Sequence, residues 1–179
     1  MLGAAMEPRH QENPPHLLHY SEDPGIDRFA PHVPETNPGQ PPMVWTVDEP
    51  HAPLFWFPRD CPRITFWTHD GSPARALGAT TASRVHAIEA SWLDRVRAGR
   101  LFVYRFDPRG FAPWPDADGY WVADHERRPL DVTPVGDLLE LHAAAGIELR
   151  VLPSLTALRA AVVASAYRFS MCRMANAGP

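Results

Sequence analysis

The chain alternates short apolar or aromatic segments with turns that contain proline and glycine. Segments rich in β-branched and aromatic side chains, bounded by turn residues, predict strands. The predicted strands span residues 16–20, 44–47, 63–67, 101–106, 119–123, 129–133 and 147–152. The tail, residues 167–176, is predicted to be a strand that turns into a helical end.

Apolar residues spaced three or four apart predict helices elsewhere. The apolar face of the clearest predicted helix, 80–97, consists of Val85, Ile88, Trp92 and Val96. Glu89 lies on or beside this face, where it either reaches solvent or an arginine, or points into a pocket. Further helices are predicted over 134–145 and 154–164, and Asp48 is placed to cap a short helix over 49–57. The order of elements indicates an α+β fold, a compact mixed or antiparallel sheet with flanking helices.

The 179 residues are predicted to form a single globular domain over 15–179. A polar, proline-bearing tail over 1–14 is expected to be disordered. Residues 30–42 contain too many prolines for regular structure, and they are predicted to form a loop that could cover a site.

Charge and hydropathy exclude several classes of partner. The net charge is −4 and the pI is near 6.1, so the overall charge does not favour nucleic acid. No apolar run reaches the roughly 20 residues of a membrane helix, and the N-terminus lacks the apolar core of a signal peptide. We therefore expect a cytoplasmic protein with a small-molecule ligand, of undetermined oligomeric state. All 17 basic residues are arginine, which suits contacts with phosphate or carboxylate, although a GC-rich genome explains this bias more simply.

Chemically versatile side chains are densest between Met43 and Trp67. The carboxylate, imidazole and thiol groups there are Asp48, Glu49, His51, Asp60 and Cys61. These are ligand types of zinc and components of a cysteine nucleophile. Their spacing matches neither a paired-cysteine motif nor an HExxH motif, so we expect no metal site. In the alternative interpretation Asp48 caps a helix and Cys61 is buried as a small apolar residue.

Two further groups could carry chemistry. His19 and Ser21 share one face of the first predicted strand, because side chains alternate along a strand. A histidine there could act as a base or could be satisfied by a loop carbonyl. Asp118 and Glu126 flank the strand predicted over 119–123, where they could stabilise a cationic transition state or lie in a solvated hairpin.

Residues 17–177 resemble a family of small bacterial proteins described only as a domain of unknown function. The segments that carry the resemblance are LHYSEDPGIDRFAP, VWTVDEPHAPLFWFPRDCPR, GYWVADHERRPLDV, GIELRVLPSL and FSMCRMANA. This resemblance implies no established activity.

A more distant resemblance is to the ADP-ribosyltransferase-like superfamily. Its first strand carries His, a small residue and Ser or Thr, and Phe-x-Pro follows; HYS at 19–21 and FAP at 29–31 are similar, although Tyr20 is not small. Its second strand carries an aromatic residue and Thr before an acid, as in WTVD at 45–48. The superfamily usually places a glutamate on a late strand, whereas GYWV at 119–122 has none.

This resemblance implies an NAD-binding cleft in which the nicotinamide–ribose bond is cleaved. His19 and Trp45 hold the cofactor-contacting places that the resemblance implies, and His51 and Arg63 are predicted to complete the cofactor-binding wall of the cleft. The predicted catalytic residues are His19 and Ser21, together with Asp118 and Glu126, which flank the strand where the superfamily places its glutamate. Such a cleft requires His19 and Trp45 on the same face of their sheet.

Three hypotheses about function follow from these observations. The first is an ADP-ribosyltransferase-like protein with a nucleotide-binding cleft. The second is a non-catalytic ligand-binding module that keeps the pocket but lacks the catalytic glutamate. The third is a metal- or cysteine-dependent hydrolase.

Overall fold

Two β-sheets and several short helices form the part of the protein that the structure describes. The structure is a computed structural model, and it describes residues 14–34, 38–68 and 80–178. One sheet is antiparallel throughout, and the other is mixed. The fold is α+β, as the order of predicted elements indicated.

The larger sheet, sheet A, has six strands. They are β1 (Leu17–Ser21), β2 (Val44–Val47), β5 (Phe102–Phe106), β6 (Ala112–Pro113), β7 (Tyr120–Ala123) and β8 (Asp131–Pro134). Their spatial order is β6-β7-β2-β1-β5-β8. One face of sheet A is apolar and packs beneath the loop that contains Phe29, with Leu17, Tyr104 and Trp121 fully buried there.

The smaller sheet, sheet B, has four strands. They are β3 (Arg63–Trp67), β4 (Arg84–Glu89), β9 (Glu148–Leu152) and β10 (Arg168–Cys172). Their order is β10-β3-β4-β9, and only the pairing of β4 with β9 is parallel. The outer face of sheet B packs against helix α3 (Thr156–Val163), where Ile64, Val85 and Val162 are buried together.

The helices are short and several have clear caps. A 3₁₀ helix runs from Glu49 to Phe55, and the Asp48 side chain accepts the His51 N–H at its start. Helix α1 covers Leu93–Ala98, and helix α2 covers Leu138–Ala144. Two further 3₁₀ turns cover Ala90–Trp92 and Met174–Asn176.

The long helix predicted over 80–97 is wrong. Arg84–Glu89 is strand β4, and the chain becomes α-helical only at Leu93. Strand β4 is central in sheet B, so Val85 to Glu89 are all buried and the apolar residues show no alternation. A strand buried on both faces loses the period of two, and its apolar residues then fit a helical spacing by chance.

The position of Glu89 also differs from the prediction. Its side chain lies on the outer face of sheet B, only 3% exposed, and accepts the N–H groups of Leu155 and Gly178. Glu89 therefore satisfies the start of α3 and the end of the chain, and it does not point into the space between the sheets.

The other predicted elements correspond closely to observed ones. Most shift by one to four residues at their ends, and the two-residue strand β6 has no predicted counterpart. Within the described residues, no helix is long and apolar enough to cross a membrane. The predicted disordered tail, residues 1–14, lies outside the described residues except for Pro14, and residues 69–79 also lie outside them.

Candidate functional site

The inner face of sheet B, which is turned toward sheet A, is unusually polar. Register and strand alternation place its side chains in three rows, Arg63-Thr65-Trp67, Ile88-His86-Arg84 and Cys172-Ser170-Arg168. Opposite them lie the Glu49–Phe55 helix and the face of sheet A that carries Tyr20, Trp45 and Tyr120. We call the region where these surfaces meet the intersheet cleft. Its closed end is the buried end at Arg63, and its open end is the solvent-exposed end at Arg168.

Arg63 is a buried cation at the closed end of the intersheet cleft. It is 6% exposed, its Nε–H donates to the Leu54 carbonyl at 2.9 Å, and an Nη1–H donates to the Cys61 carbonyl at 3.1 Å. Its guanidinium also lies 5.2 Å from the centre of the Phe57 ring. Among the described residues no carboxylate pairs with it. Backbone carbonyls satisfy its N–H groups without neutralising its charge.

Arg84 and Arg168 lie on either side of Trp67 at the open end of the intersheet cleft. The Arg84 guanidinium lies 5.2 Å from the centre of the Trp67 ring and donates to the Pro50 carbonyl at 3.1 Å. Burial lowers the pKa of Arg84, and no carboxylate among the described residues pairs with it. Arg168 is more exposed and donates to Asp118 Oδ2 at 3.0 Å. The open end therefore carries two cations and one exposed carboxylate partner.

His51 and Asp48 form a hydrogen-bonded pair beside these arginines. The imidazole Nδ1 lies 2.6 Å from Asp48 Oδ1, and both side chains are largely buried, with 19% and 11% exposed. Gly119 packs against the imidazole so closely that a Cβ on this residue would lie 2.1 Å from Nδ1. The Gly119 carbonyl also accepts the Asp48 N–H at 2.9 Å. Because Gly119 has φ +81°, glycine meets both a conformational and a steric requirement here.

Aromatic side chains from sheet A form the opposite wall. The Tyr120 ring contacts Trp45 and Phe55, with centres 6.3 Å and 5.8 Å apart, and Phe55 stacks on Tyr20. Burial raises the pKa of Tyr120 to about 12, with a further rise from the Cys172 thiol and an opposing effect from Arg63. The Tyr120 hydroxyl is therefore neutral at physiological pH and close to the inner face of sheet B.

His19 and Trp45 do not share a cleft. Leu18 pairs with Val47, so Trp45 shares a face with Leu18, whereas His19 shares the opposite face with Tyr104. The His19 ring packs against Phe29 at 4.8 Å, and its Nδ1–H donates to the Trp45 backbone carbonyl at 2.9 Å. Burial lowers the pKa of His19. The cleft implied by the ADP-ribosyltransferase resemblance, with His19 and Trp45 as its walls, is wrong.

The remaining residues of the implied catalytic set are also separated. The Ser21 hydroxyl accepts the Asp23 N–H in an exposed turn, and Glu126 forms a 3.6 Å ion pair with Arg28 at the surface. Asp118 is next to Gly119 and pairs with Arg168, so it reaches the intersheet cleft. The structure thus brings together Trp45, His51, Arg63 and Asp118 around the hairpin that ends at Tyr120, without His19, Ser21 or Glu126.

Cys61 does not have the surroundings of a nucleophile. Its side chain is fully buried, and burial raises its pKa to about 12. A thiol must lose its proton to attack or to bind zinc, so this environment opposes both roles. In the described parts of the chain, no group of three or more His, Cys, Asp or Glu residues is arranged to hold a metal.

Residues 18–177 match a family model whose description is "Family of unknown function (DUF6886)". The chain belongs to this family. The match includes both sheets, so the intersheet cleft is built from the region that defines the family. No curated protein and no solved structure matches the chain. None of these comparisons supports the resemblance to the ADP-ribosyltransferase-like superfamily.

Within this family region, sequence reasoning missed Arg84, Arg168 and Gly119. Arg84 was assigned to a helix, and only its pairing with Trp67 on a strand brings it to the cleft. Gly119 was detectable as a turn glycine after Asp118, but its contact with His51 depends on a hairpin 68 residues further along the chain. The signal that could have found the two arginines is that each of the three segments that form β3, β4 and β10 carries an arginine or an aromatic residue at its start or end, which would lie side by side if the segments paired as strands.

A second histidine pair, between His86 and His142, was also missed. The two side chains are 0% and 1% exposed, and His86 Nδ1 lies 3.0 Å from His142 Nε2. His142 Nδ1 lies 2.6 Å from the Leu138 carbonyl, which only accepts, so this nitrogen carries the proton. In the neutral pair His86 Nδ1 is then the donor, and His86 Nε2 is left as a buried acceptor without a partner.

Proposed function

We propose that this protein binds a small anionic ligand of nucleotide type in the intersheet cleft. The observation that carries the proposal is the set of arginines on the inner face of sheet B, two of which have no carboxylate partner among the described residues. Partly buried cations are stabilised by an opposite charge, and guanidinium groups match the geometry of phosphate oxygens. A ligand phosphate at the open end would supply that charge to Arg84.

The rings of the cleft support a ligand that also contains a planar group. Trp67 is flanked by Arg84 and Arg168 at one end of the inner face of sheet B, and Tyr120 of sheet A lies near Arg63 and Cys172 at the other end. Flat apolar walls with a few polar groups are typical of sites that bind nucleotides and other ring-bearing ligands. NAD remains a candidate ligand, because it combines phosphates with aromatic rings.

An ADP-ribosyltransferase-like active site would have to differ from the one that the resemblance implies. His19 lies on the other face of sheet A, and Glu89 is used by backbone N–H groups on the outer face of sheet B. The contribution of this fold to NAD chemistry therefore depends on His51, Arg63 and Asp118.

Calorimetric titration with AMP, adenosine and NAD tests the proposal. We expect AMP and NAD to bind, and adenosine to bind at least about tenfold more weakly, because it lacks the phosphate. Arg84→Gln and Arg168→Gln should each weaken AMP binding by about tenfold or more. Arg28→Gln is the matched control, since Arg28 is an exposed arginine in an ion pair outside the cleft. Equal binding of AMP and adenosine, or equal losses in all three variants, would contradict the proposal.

A further inference from the structure

We propose that His51, held by Asp48, is a general base that activates water for hydrolysis of a phosphate diester bound in the intersheet cleft. This inference rests on the proposed function, because the arginines of the cleft would hold the phosphate. It adds a reaction, a substrate class and a catalytic residue.

The hydrogen bond to Asp48 fixes which imidazole nitrogen can act. A carboxylate only accepts, so the 2.6 Å contact places the proton on His51 Nδ1. In the neutral ring Nε2 is then unprotonated and has its lone pair available. Across the described residues, Nε2 has no hydrogen-bond partner and is not among the buried unpartnered atoms. The nitrogen that could take a proton is therefore open to a ligand or water.

Gly119 fixes the orientation of the ring. The backbone of this glycine approaches the Nδ1, Cγ and Cε1 atoms so closely that no side chain fits there. The carbonyl of the same residue holds the Asp48 N–H, so the hairpin positions both members of the pair. A base and the group that orients it are the recurring components of proton-transfer sites.

Arg84 and Arg168 each contact a residue that is next in sequence to a member of this assembly. Arg84 donates to the carbonyl of Pro50, which precedes His51, and Arg168 donates to Asp118, which precedes Gly119. In the proposed reaction these two arginines neutralise the non-bridging oxygens of the bound phosphate.

The surface pair formed by His125 and Asp124 shows what the cleft adds. His125 Nδ1 lies 2.7 Å from Asp124 Oδ1, which is nearly the same bond as in the His51 pair. Its side chains are 60% and 80% exposed. The two pairs share their chemistry and differ in burial, so His125 is a matched control.

The step balances without a further reactant. Water donates a proton to His51 Nε2 while its oxygen forms a bond to phosphorus. The bond from phosphorus to the ester oxygen of the leaving group breaks, and that oxygen takes the electron pair. A leaving group that needs a proton takes it from solvent, because it departs from the side of phosphorus opposite the attacking water. The protonated His51 releases its proton to solvent, which restores the base. The products are a phosphate monoester and an alcohol or phenol.

A purely structural role for His51 is the competing explanation, because Asp48 also caps the 3₁₀ helix by accepting the His51 N–H at 3.1 Å. That cap needs only the backbone of residue 51. A measurement that follows proton transfer, and not folding alone, distinguishes the two roles.

The experiment measures hydrolysis of bis(p-nitrophenyl) phosphate by the full chain, with His51→Ala, His51→Gln, Asp48→Asn and His125→Ala for comparison. We expect wild type and His125→Ala to release p-nitrophenolate at similar rates, and His51→Ala and His51→Gln to be at least about 100-fold slower. Added imidazole should restore part of the rate of His51→Ala but not that of His51→Gln, whose side chain fills the site. Asp48→Asn should lower the rate by at least about tenfold, through loss of orientation.

Failure of this inference is distinguishable from failure of the proposed function. If AMP binds with the expected dependence on Arg84 but wild type hydrolyses no diester, or His51→Ala keeps its rate, the base is overturned and the binding site stands. If AMP does not bind and hydrolysis is absent, both are overturned. Hydrolysis that persists in His51→Ala without any response to imidazole would also overturn the role of His51.

Discussion

Two hydrogen-bonded pairs that contain histidine, His51–Asp48 and His86–His142, lie between the sheets. They differ in their surroundings. His51 bonds a carboxylate, its second nitrogen is accessible, and two arginines are close by. His86 bonds another imidazole, its second nitrogen is buried without a partner, and apolar residues close around it. An accessible nitrogen is a requirement for proton transfer to a ligand, and only the first pair has one. Residue type does not distinguish them, whereas burial and access do.

The buried pair also shows how burial sets the protonation state. Burial is the main cause that lowers the pKa of His86 well below its usual value, with further contributions from His142, Arg84 and Arg63. Burial likewise lowers the pKa of His142, while its bond to the Leu138 carbonyl acts in the opposite direction. Both rings are therefore neutral in the folded protein near pH 7.

The largest expected effect comes from Gly119→Ala, which forces a Cβ against the His51 ring. We expect a loss of about 3 kcal/mol or more in the free energy of unfolding, from left-handed backbone strain together with overpacking. Urea denaturation measures it. Gly136→Ala is the matched control, since φ is +90° there but no atom lies within 4 Å of the added Cβ. It should lose only about 1 to 2 kcal/mol.

A double variant sharpens this comparison. His51→Ala combined with Gly119→Ala should recover the steric part of the loss and leave the backbone part. If Gly119→Ala and Gly136→Ala are equally stable, the close packing of the hairpin on His51 is not real.

His142→Leu tests the core pair. This change removes the acceptor of the His86 Nδ1–H and leaves that ring buried with no partner, so we expect a loss of about 2 kcal/mol in the free energy of unfolding. His86→Leu should cost less, because it also removes the unpartnered Nε2. Denaturation of both variants checks the order, and a larger loss in His86→Leu would contradict the assigned tautomers.

The pH dependence of stability is the third test. A histidine whose pKa is depressed by folding binds its proton more readily in the unfolded chain, so the free energy of unfolding falls as pH drops below about 6.5. Each such group contributes at most about 1.4 kcal/mol per pH unit. We expect urea denaturation at pH 7, 6 and 5 to show this fall. The double variant His86→Leu, His142→Leu should show a shallower slope, with part of the slope kept by His19. An unchanged slope would contradict the neutral buried pair.

The smallest expected effect on stability is at the cap of the Glu49–Phe55 helix. Asp48→Ala should lower the free energy of unfolding by about 1 kcal/mol, because the His51 backbone N–H and the His51 Nδ1–H both lose the carboxylate that accepts them. Asp124→Ala, in the exposed pair, should cause no measurable change in thermal denaturation. A change of equal size in both variants would mean that burial does not distinguish the two carboxylates.

Local sequence predicted much of the fold. Asp48 was enough to predict a short capped helix between two strands, and the structure contains one. Trp45, His51, Arg63 and Asp118 were predicted as site residues, and they lie around the turn that ends at Tyr120. Their roles in a site stay predictions. The prediction of the capped helix succeeded because it depends on contacts that are close in sequence.

The wrong predictions have a common physical cause. The sheet face on which a side chain lies and the register of a strand both depend on pairing between segments that are far apart in sequence. Strand β4 lost its alternation because sheet B buries both of its faces, so Val85 and Ile88 fitted a helix. His19 was predicted to lie on the same face of the sheet as Trp45, and it lies on the opposite face. Alternation along a strand fixes the face of a side chain only relative to a partner strand, and neither segment of sequence shows that Leu18 pairs with Val47.

The most direct test of the central claim is an NMR titration of the full chain with AMP that follows the arginine Nε–Hε resonances. We expect the signals of Arg84 and Arg168 to shift first and to saturate together, while those of Arg28 and Arg97, in exposed ion pairs elsewhere, stay in place. Shifts spread evenly over the exposed arginines, or no shift at Arg84 and Arg168, would contradict an anion-binding cleft between the two sheets.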